Sequence, residues 1–92
     1  MNIIYKDILS YTELEDLLIR ELDTIRNLKK FCDHYNITKS QYIKLSQIRN
    51  KKNNKKYTDL VIKMLALFDY NISDKQYFRV VKYENSKPTG GE

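Results

Sequence analysis

The sequence predicts a mostly α domain of four to five helices closed by one short C-terminal β-strand, and three observations lead there. Two Gly and one Pro in 92 residues are too few turn formers for a sandwich of tight hairpins. Apolar residues recur at steps of one, three and four across residues 14–25 and again across residues 60–68, the spacing of a helix with one buried stripe. Near the end, Phe78, Val80 and Lys82 alternate with Tyr77, Arg79, Val81 and Tyr83, a β-branched and aromatic run that favours a strand. The length fits one domain, residues 1–84, which buries roughly 60 to 65% of the surface its unfolded chain exposes. Residues 85–92, with Pro88, Gly90 and Gly91, read as a flexible tail.

Along the chain, Ile3, Ile4, Tyr5, Ile8 and Leu9 suit either a short strand or an extra helical turn, which periodicity does not separate over so few residues. Thr12 and Glu15 stand in capping-box order, so the first helix is expected to start there and to bury Leu14, Leu17, Leu18, Leu22 and Ile25. Asn27 suits the cap of a short second helix over residues 28–35. Asn36 tolerates a left-handed turn. Thr38 then caps a third helix, residues 38–50, with Tyr42, Leu45 and Arg49 on one side. Residues 49–56 contain no apolar side chain and read as a frayed end passing into a loop. Thr58 caps a fourth helix through Leu60, Val61, Met64, Leu65 and Phe68, which stops within residues 69–73.

Charge is distributed unevenly behind a net +5. Residues 1–27 carry three basic side chains against six acidic, a net of −3, whereas residues 28–56 carry nine basic against Asp33 alone, a net of +8. A basic middle behind an acidic start is what one face meeting a polyanion looks like. A single cysteine, Cys32, and a single histidine, His34, leave neither a disulfide nor a metal-ligand set, so no metal or cofactor is expected. Nothing beside Cys32 activates a thiolate, and Glu15 and Asp16 fall on a helix surface without a Gly-rich loop nearby, so an enzyme with a small-molecule substrate is not expected. No apolar run reaches the roughly 20 residues of a spanning helix and no secretory leader is evident, so the expected location is cytoplasmic, away from membranes.

Between Leu28 and Leu45 the spacing becomes specific. Phe31 and Cys32 supply an apolar and then a small residue where a second helix crosses the first. Tyr35 closes the first helix, Asn36 makes the turn, Ile37 plugs the corner, and Tyr42 and Leu45 face inward three apart. This stretch resembles the helix-turn-helix of phage repressor and Cro proteins over about 20 residues, with Asn36 and Cys32 where Gly and Ala are commoner. Residues 56–72 are similar to the family's supporting helix. The resemblance implies a repressor-like DNA-binding domain from a phage or other mobile element, with residues 38–50 as the recognition helix.

Setting Tyr42 inward puts Ser40, Lys44 and Gln47 at the centre of the opposite face by 100° steps. Gln47 then suits adenine, Lys44 suits guanine, and Ile43 at the edge suits a thymine methyl. Thr38 and Lys39 lie at the helix start, where recognition helices approach DNA most closely. Lys29, Lys51, Lys52, Lys55 and Lys56 are assigned to phosphates. The expected function is sequence-specific regulation, as a repressor, on double-stranded DNA. So small a reading head is expected to work as a homodimer, paired through the edge of residues 77–83 or through Ile3, Ile4 and Ile8. The alternative is a protein-interaction module, such as an antitoxin or host-defence inhibitor, whose basic face blocks a partner's nucleic-acid site. What separates the two is whether Ser40, Lys44 and Gln47 lie exposed and level with the loop of residues 51–56.

Overall fold

The computed structural model describes residues 3–52, 55–73 and 78–83. Its elements run β1 (Ile3–Leu9), α1 (Tyr11–Leu22), α2 (Leu28–His34), α3 (Lys39–Arg49), α4 (Thr58–Ala66), β2 (Tyr70–Ser73) and β3 (Phe78–Tyr83). The three strands form one antiparallel sheet in the order β1-β3-β2. With 23% of the described residues in strands, the domain is α+β, which corrects the mostly α expectation with its single strand.

The correction has a local cause at each end of the chain. Residues 3–9 settle as a strand because β3 supplies the partner, pairing from Leu9 with Phe78 to Ile3 with Tyr83. Tyr70–Ser73 was expected only to end α4. It instead turns back through Asp69, at φ 72°, and pairs antiparallel with β3. Four residues are too short to show a period. Lying between β1 and β2, β3 has both edges occupied, so it cannot pair with a symmetry mate as expected. The edge strands are β1 and β2. Tyr77 and the tail, residues 85–92, lie outside the described residues.

α1 begins two residues earlier than expected. Ser10, not Thr12, is the cap: its hydroxyl accepts from the Glu13 amide, and the Glu13 carboxylate accepts from the Ser10 amide at 2.9 Å. Those bonds hold the Glu13 carboxyl below its usual pKa. The earlier start puts Leu9 just before the cap and Leu14 at the fourth helical position, and both are buried. That is the hydrophobic-staple arrangement, which a Thr12 cap would have filled with Tyr11 and Asp16. The helix ends at Leu22 rather than Ile25, with Asp23 as its C-cap and the Thr24 hydroxyl donating to the Glu21 carbonyl.

One core joins all elements. Leu14, Leu17, Leu18 and Leu22 of α1 meet Leu60, Val61, Met64 and Leu65 of α4, and Tyr70, Phe78 and Val80 come up from the sheet. Leu28, Cys32, Ile37, Leu45 and Ile48 bring in α2, the turn and α3. Phe31 of α2 stacks on Phe68, just past α4, at 5.4 Å between ring centres. A polar tie reinforces the join of α1 to the sheet: the Tyr70 hydroxyl donates to Glu21, and Lys82 lies 4.8 Å over the Tyr70 ring. Burial together with this bond to Glu21 pushes the Tyr70 phenol pKa well up.

Candidate nucleic-acid interface

The turn between α2 and α3 is built by backbone chemistry. Asn27 caps α2 by accepting from the Lys30 amide at 3.1 Å. At the other end, the Ile37 amide donates to the Cys32 carbonyl at 2.8 Å and the Asn36 amide to the Asp33 carbonyl at 3.3 Å. This is a Schellman closure, which requires the residue after the cap to be left-handed, and Asn36 takes φ 58°. Ile37 is thereby driven into the core. Thr38 starts α3 with a full capping box: the Gln41 amide donates to its hydroxyl and its own amide donates to the Gln41 side chain, each at 3.1 Å.

Packing sets which way α3 faces. Leu45 and Ile48 are fully buried, Tyr42 is half-buried and Arg49 is exposed, so the inward pair is Leu45 with Ile48 rather than Tyr42 with Leu45. By 100° steps this turns the helix. Ile43, 48% exposed, moves from the edge toward the middle of the open face, and Lys44 moves to its flank. Thr38, Lys39 and Ser40 are exposed, while Lys44 and Gln47 are half-buried. Lys39, Ser40, Ile43, Lys44 and Gln47 line one shallow hollow of about 430 Å³. Five of the six base-reading candidates are therefore brought together, and Thr38 sits beside them as the cap.

The sixth residue of that hollow is Tyr57, which sequence reasoning did not single out. Its hydroxyl donates to Gln47 Oε1 at 3.3 Å, and Lys44 Nζ stands 5.5 Å from its ring centre. Its backbone is held from the far side, where the Tyr57 amide donates to Tyr11 Oη at 2.9 Å and the Tyr11 hydroxyl donates to Glu15 at 2.7 Å. Burial, followed by the bond to Glu15, pushes the Tyr11 phenol up to about 12. Tyr57, not Thr58, also takes the N-cap position of α4, without a side-chain capping bond. The only sequence signal was a ring appearing directly after eight residues without an apolar side chain.

The phosphate candidates divide. Lys56 lies 5.6 Å over the Tyr11 ring and shares a second hollow, of about 420 Å³, with Lys44, Tyr57, Asp59 and Lys63. Lys63 was not singled out from the sequence either. Lys51 faces elsewhere: its ammonium is 3.5 Å from Asp16, and it lines a hollow with Asp7, Glu13, Asp16 and Arg20. Its backbone closes α3, with φ 55° and its amide donating to the Ile48 carbonyl while Lys52 donates to that of Gln47. The described residues of the loop, 51, 52, 55 and 56, are thus not all level with the open face of α3, and of Ser40, Lys44 and Gln47 only Ser40 has the full exposure expected of a DNA-reading face. Lys29, Lys52 and Lys55 are exposed.

Chemically, the face offers cations, hydroxyls and amide donors around one apolar side chain, which suits a partner rich in acceptors and negative charge. The Cys32 thiol is buried, and burial followed by the Asp33 charge raises its pKa. No described helix is long and apolar enough to cross a membrane, and no group of three His, Cys, Asp or Glu among the described residues is placed to hold a metal. Comparison of the chain with models of known protein families, with curated proteins and with solved structures found no match.

Proposed function

We propose that the chain is a cytoplasmic regulator that binds double-stranded DNA sequence-specifically, with α2 and α3 acting as a helix-turn-helix. The observation that carries this reading is the shared hollow of Lys39, Ser40, Ile43, Lys44 and Gln47 on the open side of α3. An 11-residue helix is about 16 Å long, and a major groove roughly 12 Å wide accepts one. Lys56 and Lys63 flank the hollow and suit phosphates, adding affinity that falls with salt. A protein seated in the groove in this way can repress by occluding the site from other proteins. The reading head spans only a few base pairs, so two copies are needed for useful specificity, related by a two-fold axis. With β3 enclosed, their contact falls to the edge strands or to Ile3, Ile4 and Ile8, which are exposed on β1.

The test is selection from a random duplex pool. The expected product is an enriched inverted repeat with half-sites about 10 base pairs apart. A pool that stays random after repeated rounds overturns the reading and moves the basic face to a protein partner.

A further inference from the structure

We propose that Tyr57 is a positioning residue that fixes the Gln47 side-chain amide so that α3 presents hydrogen-bond donors and reads guanine in preference to adenine. This rests on the reading of α3 as the base-contacting helix. An unrestrained glutamine has two faces: its carbonyl oxygen accepts from an adenine amino group while its NH₂ donates to N7. Gln47 is not unrestrained. Its Oε1 accepts from the Tyr57 hydroxyl at 3.3 Å, which occupies one of that oxygen's two lone pairs and favours the amide orientation in which Nε2 is the group offered to a base. Lys44, beside it and over the same ring at 5.5 Å, has three donors and no acceptor. Guanine shows the major groove two acceptors, N7 and O6, where adenine shows one acceptor and one donor. A donor-only pair matches the first and leaves the adenine amino group without a partner.

Tyr57 has the support such a role needs. Its amide is bonded to Tyr11 Oη, which is bonded in turn to Glu15, so the ring is referenced to α1, the helix with the most buried leucines. The Lys44 ammonium sits over the ring face, an attraction that needs no hydroxyl. Ring and hydroxyl therefore have separate roles, and removing the hydroxyl alone leaves the packing of the ring in place.

The experiment is duplex selection with wild type, Tyr57→Phe and Gln47→Ala, alongside nitrogen-15 spectra of the Gln47 side-chain amide in the free protein. Wild type is expected to select guanine at the base whose preference Gln47→Ala abolishes. Tyr57→Phe should lower the guanine-over-adenine ratio at that base alone by about three- to tenfold, the weight of one neutral hydrogen bond, and should mobilise the Gln47 amide. Loss of preference with Gln47→Ala but none with Tyr57→Phe, or adenine at that base in wild type, overturns the role of Tyr57 and leaves α3 as the reader. Unchanged preferences with Gln47→Ala overturn the base-reading helix itself, and this inference with it.

Discussion

Four basic side chains of α3 and the loop after it divide between two surroundings. Arg49 and Lys51 lean on α1, where Arg49 Nε is 3.3 Å from Asp23 and Lys51 is 3.5 Å from Asp16. Lys44 and Lys56 gather around Tyr57 and Tyr11, with Lys63 alongside. In the sequence all but Lys63 belong to one +8 stretch; in the fold the first pair is offset by acids on and just after α1, and the second group gathers around two tyrosines with Asp59 beside it. Exposed ion pairs of this kind contribute little to stability, so what the pairing decides is where positive charge is available. A run of lysines in sequence therefore overstates the charge that any one face presents.

The rotation of α3 decides where Lys44 and Arg49 fall, and the buried Ile48 holds that rotation. Ile48→Ala should destabilise the fold by about 2 to 4 kcal/mol, the cost of emptying a fully buried site, read from the urea midpoint. Arg49→Ala, which the sequence placed on the inward side, should cost less than about 1 kcal/mol, as expected of an exposed pair. Equal losses would mean that α3 is seated differently and that Lys44 need not face Tyr57. Salt dependence should separate the lysines by a smaller effect. Lys56→Gln should reduce the slope of log affinity against log salt by about 0.9, and Lys63→Gln by a similar amount. Lys51→Gln should leave the slope unchanged; a drop equal to that of Lys56→Gln would merge the two groups again.

Much of the α2–turn–α3 unit was legible because its determinants are local. Asn27 and Thr38 act as caps within three residues of themselves, and Asn36 takes the left-handed turn through its own backbone tolerance. The start of α1 was misplaced because Ser10 and Thr12 both stand three residues before a Glu, and the choice fell to Leu9, whose burial depends on the sheet. The sheet itself depends on pairing between residues about 75 apart in the chain, as for Leu9–Phe78 at one end and Ile3–Tyr83 at the other, and no period within β1 or β2 announces it. For the site, residue types along α3 were readable and their setting was not. Ile48 turns the helix, Tyr57 reaches Gln47 from ten residues away, and Asp16 draws off Lys51; all three are tertiary contacts.

Whether α3 reads bases is measured by comparing affinities for the selected duplex and for a scrambled one of equal length. Lys44→Ala and Gln47→Ala should each weaken the selected complex by about 1 to 3 kcal/mol and change the scrambled complex much less, with the thermal midpoint of the free protein preserved. Equal losses on both duplexes would mean that α3 does not read bases, because a helix that only meets phosphates cannot tell them apart.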